Sequence, residues 1–262
     1  MNEIINRVVP QDIIVTVGPS SFNSFSIQRM DELGATCFRI NLSHTKMQEF
    51  DSIFTEIERW TDKPICPDTQ GYRFRPRNVS AFTDKDLEAF QISKHLNVHT
   101  IFLSFCSYPE DVTELRSHFE YETTVIAKIE NSDGLRNLQP ILEVADGILI
   151  DRGDLSNDVP LEKIAYAQDY IIKEAVRLHV PVSVATNLME SMVSESEPTR
   201  AEVNDIVKLL DVGVSGLVLA GETAIGKHPV KVVNFMKKII DGYGEYYKCR
   251  TRPELLDWLL DK

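Results

Sequence analysis

The sequence predicts a closed parallel barrel of eight strands wrapped by eight helices, a (β/α)8 fold, and three observations predict it. Apolar runs ending in glycine or polar residues recur at 13–17, 37–42, 64–68, 100–105, 125–129, 147–150, 181–185 and 216–220. Segments of helical spacing fall between and after them, at 24–33, 47–60, 84–96, 109–119, 134–144, 161–178, 199–210 and 229–247. No G-x-G-x-x-G follows the first run, which disfavours an open doubly wound sheet. Strands covered on both faces read as continuous Val, Ile and Leu, and strand-helix alternation with right-handed crossovers closes such strands into a ring.

Local signals support each element. Ser24 and Thr83 stand where helix N-caps belong, Pro109 and Pro229 in first helical turns, and Gly34 and Gly213 just past helix ends. No repeat or Pro/Ser-rich linker divides the chain, so one domain is expected over 1–262, with 248–262 as a packing or interface tail. The stretch 253–260, PELLDWLL, is too apolar to stay solvated and should lie on the barrel or on a second subunit. A homo-oligomer, or a partner protein on the barrel exterior, is therefore expected.

A net charge of −12 argues against nucleic-acid and anionic-membrane surfaces, which call for a basic excess. Four cysteines without a C-x-x-C pair sit mostly in apolar runs and read as small core residues in a reducing compartment. Residues Met1 to Arg7 carry no long apolar stretch, and neither a leader nor a membrane span is read; a cytoplasmic location is expected.

The chemistry concentrates at predicted strand ends, the edge where α/β folds place their sites. The fifth run leads into Lys128 and Glu130, the sixth into Asp151, Arg152 and Asp154. Carboxylates on adjacent strands beside a lysine suit a hard divalent cation and an anionic substrate. Alternation along the second strand puts Arg39, Asn41 and Ser43 on one side, facing the mouth. With Asp68 and Thr69 they offer hard oxygens for a cation, or equally a hydrogen-bonded polar layer.

These residues carry a resemblance. IVTVGPSS (14–21), FRINLSH (38–44), DTQGYRFR (68–75), AKIENSDGLRN (127–137), DRGDL (151–155), VATNLMESM (184–192), PTRAEVND (198–205) and LAGETAIGKHP (219–229) together resemble the barrel domain of the pyruvate kinase family, in order along nearly the whole chain. The resemblance implies a barrel of the phosphoenolpyruvate/pyruvate-binding type. It implies Lys128 beside the transferring phosphoryl group and the enolate, and Mg2+ or Mn2+ on Glu130 and Asp154. It also implies K+ on Asn41, Ser43, Asp68 and Thr69, Arg39 on phosphate, and Thr186 on the substrate carboxylate and the proton. Backbone amides at Gly153 and Asp154 would meet that carboxylate.

The departures from the family pattern matter as much. The family's lid domain cannot fit in 76–81, and the chain ends soon after the eighth helix, so neither lid nor C-terminal domain is expected. Asp151 replaces an alanine, Gln70 a lysine, Tyr72 a proline and Ala220 a serine, and an arginine expected near Ser107 is missing. Asp151 then reads as a further ligand, a general base or a cap. Three functions compete: divalent-metal-dependent enolate chemistry on a small anionic 2-oxo acid or phosphoenolpyruvate without efficient ADP phosphorylation; full phosphoryl transfer with a partner-supplied lid; or a non-catalytic binding subunit.

Overall fold

The computed structural model describes residues 12–249 and 251–261; Met1 to Arg7, read above for targeting signals, lie outside the described residues. Eight strands pair in parallel in sequence order and close on themselves: β1 (Asp12–Thr16), β2 (Cys37–Asn41), β3 (Ile65–Asp68), β4 (Thr100–Leu103), β5 (Thr124–Ile129), β6 (Gly147–Asp151), β7 (Val182–Ala185) and β8 (Gly216–Leu219). The β1–β8 pairing, Ile13 opposite Leu217, seals the ring. Among the described residues no helix is long and apolar enough to cross a membrane.

Around the ring run α1 (Ser24–Glu32), α2 (Met47–Glu58), α3 (Asp84–His95), α4 (Pro109–Ser117), α5 (Ser132–Arg136), α6 (Leu138–Leu142), α7 (Arg152–Leu155), α8 (Ile164–Arg177), α9 (Arg200–Val212), α10 (Gly221–Ala224), α11 (Pro229–Lys248) and α12 (Arg252–Leu260). The large core lies between strands and helices, with Phe38, Phe50 and Phe90 fully buried there. Inside the barrel a smaller cluster of Ile14, Cys66, Phe102, Leu149, Ala185 and Val218 fills the middle. Strand alternation of period two carries those inward positions up to Thr16, Asp68, Ser104, Asp151 and Ala220, so the layer above the apolar plug is mostly polar.

Local sequence explains where the elements differ from expectation. Asn23, not Ser24, caps α1, its side chain accepting from the Ser26 amide at 2.9 Å. The expected helix over 134–144 is two short helices: Asn131 starts α5 two residues early by accepting from the Gly134 amide, and Pro140 has no N–H for the Arg136 carbonyl. The break falls at Asn137. β4 stops before Phe105 because that residue is left-handed, at φ 51. The first turn of the helix over 161–178 is a 3-10 turn, Leu161–Lys163. In the tail, α12 touches α11 through Trp258, whose ring lies 6.3 Å from that of Tyr246, while Leu259 and Leu260 stay exposed.

The connection from β3 to α3, where the resemblance calls for a lid, is a short loop held by two acidic anchors. One is Asp86, whose carboxylate accepts from the amides of Gln70 (2.6 Å), Gly71 (3.0 Å) and Thr83 (2.9 Å), gathering the outgoing and returning ends on one side chain. Gly71 sits at φ +63 with the Ser104 carbonyl 2.9 Å from where a Cβ would be, so only glycine turns here. The other is Asp111, buried and bonded to the Arg75 guanidinium and the amides of Ser107 (2.9 Å) and Tyr108 (3.0 Å). Removing one member strands the other's charge in the core, at a cost of about 3–5 kcal/mol. Asp111→Ala should therefore lower the unfolding free energy by that amount in urea titration, whereas Glu110→Ala on the exposed Arg77 pair should change it by under ~1 kcal/mol.

Candidate active site at the carboxyl-terminal mouth

Alternation along β5 that buries Val125 and Ala127 in the outer core turns Lys128 inward, to the top of the apolar plug. Its Nζ lies 3.0 and 3.1 Å from the two oxygens of Asp68, 2.9 Å from Glu130 Oε1 and 3.0 Å from Ser104 Oγ. Burial alone would lower the Lys128 pKa, but Asp68, Glu130 and Asp151 outweigh it and hold the ammonium above its ordinary value. Arg39 is likewise buried, donating to Asp68 Oδ2 at 2.7 Å and Thr16 Oγ1 at 2.9 Å. Asp68 therefore carries two fixed cations.

Glu130, Asp151 and Asp154 each offer an oxygen lying within 4.8 Å of the others'. Burial pushes the Glu130 carboxyl up to about 7 against the pull of Lys128, with Asp151 and Asp68 pushing further. Burial and then Asp151 raise Asp154. Carboxylates so crowded exceed the countercharge that Lys128 and Arg73 bring, and hard oxygen donors at this spacing fit a divalent cation such as Mg2+ or Mn2+. The sequence pair Glu130 and Asp154 is brought together, and Asp151 joins it. Asp151 also caps α7, accepting from the Gly153 amide at 3.2 Å, so the alternatives of ligand and cap are compatible.

Thr186 follows β7 at φ 65, with Asn187 at φ 54. A β-branched residue in this region is strained by roughly 1–3 kcal/mol, and strain of this kind gathers at working sites. Arg152 holds it: Nε and Nη2 donate to the Thr186 carbonyl at 3.0 and 2.5 Å, and Nη1 pairs with Asp205 at 2.5 Å. The Thr186 hydroxyl accepts from the Gly153 amide at 2.9 Å, so this amide, expected to meet a substrate carboxylate, is bonded to the threonine here.

The remaining predicted oxygens are separated into local contacts. Asn41 stands opposite Asp68 in the β2–β3 register, but its side-chain oxygen accepts from the Ser43 amide at 2.9 Å. Ser43 is exposed on a 3-10 turn after the strand, not a further inward strand position. Thr69 Oγ1 accepts from the Ser104 amide at 2.8 Å.

Two residues escaped the sequence reading. Ser104 bonds Asp68 and Lys128 from the residue just past β4, and the alternation Phe102, Ser104 would have found it. Arg73, from the short β3–α3 loop, donates to the Asp154 carbonyl at 3.2 Å and lies 3.6 Å from its carboxylate. No periodicity could have aimed it there. Beside the rim a cavity of about 820 Å3 runs past Asp151, Thr186, Arg39, Asn41 and His44 to an apolar wall including Phe22 and Ile225.

A closed parallel barrel with a carboxylate cluster and a buried lysine at its carboxyl-terminal mouth defines a (β/α)8 protein whose mouth has oxygen donors of the kind a hard cation takes. The family model described as "Pyruvate kinase, barrel domain" matches residues 76–233. The pyruvate kinase of Thermotoga maritima is 40% identical over 166 residues, covering 62% of this chain and 35% of the relative. Pyruvate kinase 2 of Synechocystis is 38% identical over 167 residues, covering 63% and 28%, and the Thermococcus litoralis pyruvate kinase is 38% identical over 184, covering 69% and 39%. The chain belongs to the pyruvate kinase family through its barrel domain, and spans about a third of the length of these relatives.

Because Glu130 binds its proton more tightly folded, at about 7, than in an unfolded chain near 4.5, ionising it costs the fold on the order of 3 kcal/mol between those values. That stability is full below the lower value and lost as pH rises through the upper one. Thermal melts of metal-free protein should show this loss between pH 5 and 7.5, Mn2+ should reverse it at the upper end, and Glu130→Gln should abolish both effects. Arg152→Ala should reduce any turnover at the site by roughly 10²-fold by releasing Thr186, while leaving the Mn2+-induced rise in melting temperature intact.

Proposed function

We propose that the chain carries the enolate half of pyruvate kinase chemistry: a divalent-metal-dependent site for pyruvate, phosphoenolpyruvate or another small 2-oxo acid, without efficient phosphorylation of ADP. The single observation supporting this reading is the meeting of Glu130, Asp151 and Asp154 within 4.8 Å, with Lys128 Nζ 2.9 Å from Glu130. Those carboxylates would hold Mg2+ or Mn2+, which supplies Lewis-acid stabilisation of negative charge on the substrate oxygen when bound. Lys128 adds a cation that stays protonated and needs no reorganisation as charge develops. Arg73, 3.6 Å from the Asp154 carboxylate, adds positive charge at the rim. The Thr186 hydroxyl, which lines the cavity and donates to the Ala185 carbonyl at 2.6 Å, would exchange that contact for the substrate, orient it and relay the proton between its methyl carbon and solvent.

Two features disfavour nucleotide turnover. The β3–α3 loop is too short for a domain that closes over phosphates, and closure and positioning carry most of phosphoryl-transfer catalysis. Among the described residues lining the 820 Å3 cavity the cationic candidates are Arg39, already spent on Asp68, and His44. The potassium role for Asn41, Ser43, Asp68 and Thr69 rests on the resemblance and on the Asn41–Asp68 register alone. An association with further copies or a partner, and a cytoplasmic setting, belong to the same proposal.

Proton NMR of pyruvate in deuterated buffer provides the test. The protein with Mg2+ or Mn2+ should wash out the methyl protons, chelation should stop it, and Thr186→Val should slow it by about 10²–10⁴-fold. A coupled assay of pyruvate formation from phosphoenolpyruvate should show no dependence on ADP. Absence of exchange together with absence of metal-dependent oxalate binding would leave only a non-catalytic barrel, and saturable ADP dependence would restore full phosphoryl transfer.

A further inference from the structure

The end of the barrel opposite the carboxylates holds a second reactive arrangement. Cys37 opens β2 and Cys66 is the second residue of β3; both are free, and the Cys37 thiol faces the Cys66 sulfur at 3.1 Å. Cys66 is 1% exposed in the apolar plug, and half-buried Cys37 packs against the same cluster. Both line a cavity of about 220 Å3 bounded by the first residues of several strands, among them Asp12, Thr100 and Gly147. A small neutral molecule reaching that cavity meets two sulfurs at once. The other two cysteines have no such neighbour: Cys106 is buried against the Tyr108 carbonyl, and Cys249 lies at the end of α11.

We propose that Cys37 and Cys66 form a modification site, oxidised by a hydroperoxide to an intramolecular disulfide that ties β2 to β3 at the amino-terminal mouth of the barrel. The more accessible Cys37 sulfur attacks the peroxide, the O–O bond breaks, and water leaves with Cys37 as a sulfenic acid. The Cys66 sulfur, already in contact, then displaces the sulfenic oxygen as a second water. Two thiols lose two electrons and two protons, and one hydrogen peroxide becomes two waters. Cys66 stands opposite Arg39 in the β2–β3 register, so Cys37 is its diagonal neighbour, and closing the sulfurs from 3.1 Å to the bonded length of about 2.05 Å draws the two strand starts toward each other. The hydrogen bond to Cys66 and burial hold the Cys37 thiol above its ordinary range, so the thiolate is scarce and attack on the peroxide is slow; the nearness of the second sulfur, not the acidity of the first, favours the disulfide. β2 and β3 also carry Arg39 and Asp68, so the cross-link acts on the strands beneath the candidate active site.

The full chain is treated with graded hydrogen peroxide under native conditions, remaining thiols are blocked with N-ethylmaleimide, and the digest is read by mass spectrometry. The expected result is a linked peptide pair containing Cys37 and Cys66, lighter by two hydrogens than the reduced pair and released by dithiothreitol, with Cys106 recovered as a labelled thiol. Cys66→Ala should leave a Cys37 sulfenic acid that dimedone traps, and Cys37→Ser should leave Cys66 as an unoxidised thiol. Recovery of both wild-type cysteines as thiols after exposure long enough to oxidise Cys106, or as unlinked sulfinic acids, overturns the proposal whatever the variants do. Neither outcome bears on 2-oxo acid turnover, so the two readings stand or fall separately.

Discussion

The constraint on which the carboxyl-terminal half of the barrel depends is that an ammonium has been placed inside it. Lys128 is 5% exposed above an apolar plug, where an unpaired charge could not persist. Asp68 and Glu130 must therefore close on it, and Asp68 in turn draws Arg39 down from β2. Two buried cations then face three buried carboxylates, Asp68, Glu130 and Asp151, and at the rim Arg73 faces Asp154. One negative charge is left without an answer, and it is left where three carboxylates converge. The raised affinity of Glu130 for a proton and the suitability of the cluster for a metal ion are two expressions of that same surplus.

Left-handed backbone recurs at the same rim. Gly71 after β3, Phe105 after β4, and Thr186 and Asn187 after β7 all have positive φ, and those that shape the site are held by named contacts. The Phe105 amide donates to Glu130 at 2.6 Å, so the turn that ends β4 also fixes a carboxylate. Thr186 is held through its own carbonyl by Arg152, whose far end leans on Asp205 of α9. Turns that would relax if isolated are kept in place by side chains reaching from other strands and helices.

The strands were legible because a strand buried on both faces leaves a short, mainly apolar run cut off by polar residues or glycine, plainest in β1, β5 and β6 and least so in β3, Ile-Cys-Pro-Asp. Helix boundaries were legible where one residue decides them, as at Thr83, Pro109 and Gly213, and illegible where two signals compete, as Asn23 beside Ser24 or Pro140 inside an apolar period. The strand-borne part of the site, Lys128, Glu130 and Asp151, could be read from alternation and adjacency. Arg73 could not, since its aim depends on a loop whose path is set by Asp86 and Asp111. Nor could the capture of the Gly153 amide by Thr186, which depends on two strand ends meeting in space.

Asp86 gives the β3–α3 junction one more property. Because the departing and returning backbone are pinned to the same carboxylate, the stretch between them is a side branch whose length the barrel does not sense. Lengthening a loop whose ends are already together adds only a cost that grows with the logarithm of its length, about 0.6 kcal/mol per doubling. Insertion of a whole domain between Gly71 and Thr83 would need no remodelling of the cylinder; the change would be confined to what hangs from the clasp.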